Sequence, residues 1–277
     1  MQKKELEGGA KQILNIELAK STGLIIISLL YFMLEISFVM EGFVLLALFA
    51  LIIPVFMWRR HARKKRLRLR IYLEEQCRVA SMKQVYAYLL SREEKWTGKR
   101  KRDTAREAKR GLIRSEIYLG QADFGESDTW RVALGEVQGR YEQLFLAFVK
   151  EDREAFKKLL PPYLAYGQSR FHDAGRTKKA RKEYFRYHNS LRKLDVYQAF
   201  MEGNIEEFAR QQEEQGLFTT AEKVILMAKK ACVLEAYDRK NAAAAWYYVL
   251  SAGNEMQLAT QAKEHLKELT APAKNTV

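Results

Sequence analysis

Signatures of chemistry are what this sequence has least of. Its four histidines, His61, His172, His188 and His265, are scattered, and neither H-E-x-x-H nor a Cys/His pair at metal-ligand spacing occurs. No G-x-G-x-x-G or G-x-S-x-G is present, and Thr97, Gly98 and Lys99 lack the upstream glycine and following hydroxyl of a phosphate loop. These absences leave no catalytic, metal-ligating or cofactor-binding residue to name, so the chain is expected not to be an enzyme. Cys77 and Cys232 are the only cysteines; both sit far apart in apolar helical patterns, which predicts free buried thiols rather than a disulfide. There are four prolines and few strand cues, which points to an all-α chain.

Charge is also missing where it matters most. Residues 21–58 hold only Glu35 and Glu41 as ionisable acids and no Lys or Arg. A block of that length exceeds one span of roughly 20 residues and suffices for two. Glu41 and Gly42 form the natural break, leaving 22–40 and 43–58 as passes of about 28 and 24 Å at ~1.5 Å per residue. Trp58 suits the headgroup region. Glu35 is placed near the far interface, about 9 Å of helix from the break. A cleaved signal peptide fits poorly, since the apolar stretch is too long and lacks a small-x-small site.

The following twelve residues carry eight cations: Arg59, Arg60, Arg63, Lys64, Lys65, Arg66, Arg68 and Arg70. Lys11 and Lys20 precede the first span, so basic flanks on both sides predict cytoplasmic termini and a two-span hairpin in a cytoplasmic membrane. Residues 59–110 hold 19 Lys/Arg against 6 Asp/Glu, a net +13, and the other 225 residues hold 29 against 28. The strongly basic balance is therefore a property of one juxtamembrane segment. Two readings of the 59–70 run stand side by side: it orients the hairpin, or these eight cations also bind anionic lipid headgroups.

Five segments follow: 1–20, an interfacial N-terminal segment; 21–58, the transmembrane hairpin; 59–110, a basic juxtamembrane helical segment; 111–269, a helical domain beginning near Gly111; and 270–277, a flexible tail. Tyr72, Val79, Met82, Tyr86 and Leu89 recur at helical steps, and the polar stretch from Gly98 to Gly111 is expected to interrupt them. Pro161 and Pro162 are expected to end a helix begun near Asp152. Capping boxes are predicted at Thr219/Glu222, Asn204/Glu207 and Asn254/Gln257, with Gly253 a left-handed helix end.

Three turns share a shape. An aromatic residue (Phe148, Phe200, Tyr237) closes a helix, a short polar turn follows, and Asp152, Asn204 or Asn241 is expected to cap the next. With the apolar-faced helix from Ala221 to Tyr237, and Ala245, Trp246, Tyr247, Val249 and Ala252 on its neighbour, residues 230–269 and more loosely 194–212 resemble tetratricopeptide-type helix pairs. The resemblance implies an α-solenoid-like domain whose concave surface takes protein segments. The plan is similar to bacterial membrane proteins with two N-terminal spans followed by helical repeats. The expected function is a membrane-anchored adaptor or scaffold for a protein partner. The alternative is a membrane-tethered nucleic-acid-binding protein using residues 99–102 and the 170–193 run, whose nine Lys/Arg are interleaved with Phe171, Tyr184, Phe185 and Tyr187. At helical spacing Tyr184, Tyr187, Leu191 and Leu194 also form one face, as core residues would.

Overall fold

A computed structural model of the chain describes residues 8–40, 52–93, 99–125, 127–171, 178–211 and 216–270. Within them lie twelve α-helices and no strand: α1 Gly8–Met40, α2 Ile52–Glu74, α3 Val79–Glu93, α4 Lys99–Tyr118, α5 Ser127–Leu134, α6 Glu136–Lys150, α7 Arg153–Phe171, α8 Lys178–Met201, α9 Ile205–Gln211, α10 Thr220–Leu234, α11 Arg239–Ala252 and α12 Gln257–Thr270. The protein is all-α. Residues 1–7, the expected break at Glu41 and Gly42, the first part of the expected second pass, Gly98 and residues 271–277 lie outside the described residues.

Among the described residues, α1 is the one helix long and apolar enough to cross a membrane. At ~1.5 Å per residue it is about 50 Å long, and it passes through two environments. Its base packs on α3 with Ala10 and Ile13 fully buried. From Leu18 onward most of its described large apolar side chains are open, with Leu30 63 % and Met40 83 % exposed. The hydroxyls in this stretch are satisfied within the helix: Ser21, Thr22, Ser28 and Ser37 each donate to the carbonyl four residues back. Helix α2 repeats the pattern in reverse. Ile52, Ile53, Val55, Phe56 and Trp58 are exposed, whereas Leu69, Leu73 and Glu74 are buried. Pro54 sits in its first turn, where the missing N–H breaks no intrahelical bond.

Several local expectations need correction. The stretch from 99 to 111 does not interrupt the helical pattern; α4 runs through it and through Gly111. Glycine is required there by packing, because a Cβ would lie 2.3 Å from the ring of buried Tyr86. Pro161 and Pro162 lie inside α7 rather than at its end. The carbonyls they leave without an N–H partner belong to Lys157 and Lys158, two exposed residues, so the helix continues at little cost. Tyr163 and Gly167 on the opposite side stay buried.

The turn expectations divide similarly. Thr219 and Glu222 form the full reciprocal capping box, Asp152 accepts from the Ala155 N–H, and Asn204 accepts from the Glu207 N–H. The third turn is shifted: Asp238, not Asn241, caps α11, accepting from the Asn241 N–H at 3.1 Å. Asn254 does not cap α12. It takes the left-handed conformation expected of Gly253, with φ 41°, and its amide donates to the Gln76 carbonyl. Gly253 is right-handed and is needed for close approach, since a Cβ would lie 2.5 Å from the Val249 carbonyl. Cys77 is buried but Cys232 is exposed.

That C-terminal turn also ties the ends of the chain together. Glu255 accepts from both the Ser81 N–H and its hydroxyl at 2.8 Å, and Glu255 N–H donates to the Cys77 carbonyl. Thr220 donates to Glu75 at 2.7 Å. The α11–α12 turn and the start of α10 thus hold the α2–α3 corner, where the chain leaves its apolar section.

Candidate basic site on helix α2

Helical phase sorts the eight cations of 59–70 into groups. At 3.6 residues per turn, Arg59, Arg63, Arg66 and Arg70 fall at steps of four, three and four and share one stripe of α2. All four are arginine, whose planar fork suits paired phosphate or carboxylate oxygens better than lysine's point charge. Arg59, Arg63 and Arg70 are exposed and Arg66 is half-buried. Arg60 and Lys64 form a second exposed pair on the adjoining flank.

Arg68 and Lys65 turn the other way, toward α1. Arg68 grips Glu17 with both forks, Nε to Oε1 at 2.6 Å and Nη2 to Oε2 at 2.7 Å. Burial pushes the Glu17 carboxyl up, but the hydrogen bonds and charge of Arg68 outweigh it, and the group is held below the usual carboxylate range. The same pair raises Arg68. Two further contacts continue the seam between α1 and α2: the Ser21 hydroxyl lies 3.2 Å from His61 Nε2, and the Trp58 indole N–H donates to the Ser28 hydroxyl at 3.2 Å. Burial, then the nearby Arg68 charge, lowers the His61 imidazole. Residues 17, 21 and 28 meeting 68, 61 and 58 means that the two helices run antiparallel.

The eight cations are therefore not equivalent. Replacing Arg68 with Gln leaves Glu17, which is 1 % exposed, with only the longer Lys20 contact at 3.8 Å, and should cost roughly 1.5–3 kcal/mol, the range for hydrogen bonds to charged groups. Arg59→Gln, Arg63→Gln and Arg70→Gln should each change stability by under about 0.5 kcal/mol. Thermal melts of the four variants in neutral detergent check this; equal melting points would contradict the division.

Two apolar residues interrupt the exposed basic face. Leu67 is 59 % exposed and Ile71 37 % exposed; one turn apart, they continue the Arg60/Lys64 row beside the arginine stripe. Both were legible as an i, i+4 apolar pair within the basic run.

A second charged cluster lies inside the domain and joins five helices. Arg114 on α4 donates from Nη1 to Glu222 Oε1 at 3.1 Å and to the Tyr118 hydroxyl at 3.2 Å, and its Nε is ion-paired with Glu142. Its guanidinium lies 4.3 Å over the Phe145 ring. Arg110 and Gln138 also bind Glu142, at 3.3 and 2.6 Å. Lys193 of α8 pairs with Glu222. Tyr118 donates to Glu74 at 2.7 Å and Thr219 to the same oxygen at 2.9 Å. Three cations meet three carboxylates. Burial pushes the Tyr118 phenol well up, helped by Glu74. Burial also raises Glu222, but Lys193 and Arg114 outweigh it and bring that carboxyl down to about 2. These contacts join α2, α4, α6, α8 and α10 through one buried cluster. Among the described residues, no group of three His, Cys, Asp or Glu side chains could hold a metal ion.

The 170–193 run has its aromatics mostly inward. Tyr187 and Phe171 are buried, their ring centroids 5.2 Å apart, and Tyr184 is half-buried. Phe185 is the exception at 60 % exposed, beside exposed Arg181 and Arg186. No protein-family model matches this chain, and neither a curated protein nor a solved structure matches it.

Proposed function

We propose that the protein is a membrane-anchored, non-catalytic adaptor whose helical domain is held against the cytoplasmic face of the membrane. The observation that carries this reading is the change of environment along α1 and α2. Each is buried at its domain end and bare and apolar at the other, an arrangement that lipid solvates and water does not. In this reading α1 supplies the first span, and residues 43–58, ending on the exposed start of α2, supply the second. The basic stripe then begins at the headgroups, with both termini in the cytoplasm. Consecutive antiparallel pairs such as α10–α11 and α11–α12 support an α-solenoid-like arrangement able to receive a protein segment.

Membrane contact should depend on the outward arginines. Vesicles containing anionic lipid should protect the 59–64 segment from protease, and Arg59→Gln/Arg63→Gln together should remove much of that protection without changing insertion. Protection identical in neutral and anionic vesicles would leave the arginines an orienting role alone. Exposed Phe185 among cations supports the second reading, a nucleic-acid-binding surface on α8. Salt-dependent binding of a single-stranded oligonucleotide, lost in Phe185→Ala, would favour it.

A further inference from the structure

We infer that the outer face of α2 around Leu67 and Ile71 is a docking surface for an acidic amphipathic helix of a protein partner, just below the headgroup layer. The inference rests on the membrane reading above and deepens it by naming the class of partner. Distance along α2 decides against lipid as the sole ligand. With Trp58 in the headgroup region, Arg66 and Arg70 lie about 12 and 18 Å further along the helix, and Leu67 and Ile71 about 13 and 20 Å. The headgroup layer adds only ~6 Å beyond the hydrocarbon on each side. Even a tilt of about 40° leaves Arg70 roughly 14 Å out. The upper rungs, Arg59, Arg60 and Arg63, reach phosphate; the lower ones do not.

What the lower part of α2 presents is an exposed aliphatic pair, Leu67 and Ile71. The arginine stripe runs along one side, and Arg60 and Lys64 lie in the same row as the pair, toward the membrane. An amphipathic helix with leucines on one face, and glutamates along the edge that meets the arginine stripe and at the end that meets Arg60 and Lys64, complements that pattern in both charge and apolar area. A second copy of this chain does not, because a two-fold contact through this face sets arginine against arginine. Single-stranded nucleic acid would use the cations but has no use for aliphatic side chains, since bases stack on aromatic rings or guanidinium planes. The bidentate Arg68–Glu17 pair stays out of the contact; it points to α1 and stiffens the helix that presents the surface.

The test uses full-length protein in nanodiscs of neutral phosphatidylcholine, which removes anionic lipid as a competitor. The probe is a fluorescent helical peptide of three heptads with leucine on one face and glutamate at the flanking positions. Its binding should weaken about tenfold or more in Leu67→Ser/Ile71→Ser and in Arg66→Gln/Arg70→Gln, and by less than about threefold in Arg59→Gln. All substituted side chains are exposed or half-buried, and unchanged circular dichroism and melting would show that the fold is intact. Peptide binding insensitive to the Leu67/Ile71 change would overturn the inference by reducing it to general electrostatics. So would tighter binding of a 20-nucleotide single strand that ignores the same change. Failure of the chain to enter nanodiscs at all would count against the membrane reading, whatever the peptide does in detergent.

Discussion

Replacing Arg114 with Met should destabilise the helical domain by about 3–5 kcal/mol, the cost of stripping one partner from a fully buried ion pair. Arg114 is 2 % exposed, and its loss leaves Glu142, fully buried, with Arg110 and the neutral amide of Gln138, while Glu222 keeps only Lys193 among its cations. It also removes the donor to Tyr118 and the cation over Phe145. In a domain of this size the loss corresponds to a melting-point drop on the order of 10 °C. Replacing Arg110, Arg114 and Lys193 with Met together with Glu142→Leu and Glu222→Leu should recover part of it, since a whole buried charge network can be replaced by apolar side chains of similar volume at little cost. Circular dichroism melts of the single and combined variants in neutral detergent measure both. A single variant within about 1 kcal/mol of the parent would mean that the cluster is not the joint of the five helices.

The same cluster should make the domain sensitive to acid. Glu222 titrates near 4.5 when unperturbed and at about 2 in the folded chain, where Lys193 and Arg114 hold its charge against burial. Between those two values the unfolded state binds the extra proton and the folded state does not. Stability from this group is therefore fully present above about pH 4.5 and is lost progressively as pH falls toward 2. Denaturant midpoints at pH 7, 5, 4 and 3 should fall most steeply over the last two steps. Glu222→Gln, less stable at neutral pH, should show a shallower fall. Parallel slopes for parent and variant below pH 4.5 would contradict the assignment of the acid lability to Glu222.

How much of this was legible in the sequence depends on the range of the interaction. Elements set by neighbours were readable: the apolar stretch of α1, the Thr219/Glu222 box and the caps at Asp152 and Asn204 all depend on residues within a few positions. The prolines misled because a rule about backbone donors does not say which side of the helix meets water. At Pro161 and Pro162 the orphaned carbonyls belong to exposed residues and the helix continues. Pairings across the fold were not readable. Glu17 finds Arg68 at a separation of 51 positions, and Arg114 finds Glu222 at 108. No periodicity distinguishes a lysine or arginine committed to such a partner from one left to solvent. The four-arginine stripe is intermediate: its spacing was in the sequence, but the group to which Arg68 belongs needed the position of α1.

The central claim is that the apolar part of α1 and the segment leading into α2 lie in the membrane while everything else stays on one side. It is tested most directly by topology reporters placed at both ends of the full chain, one preceding Gly8 and one following residue 277. A reporter active only in the cytoplasm should be active at both positions. An externally active reporter should be silent at both and active only when inserted between residues 40 and 43. The basic flanks and the antiparallel contacts of Ser21 with His61 and Ser28 with Trp58 motivate that expectation. One terminus reporting the outside, or full recovery of the chain in the soluble fraction after carbonate washing, would contradict it.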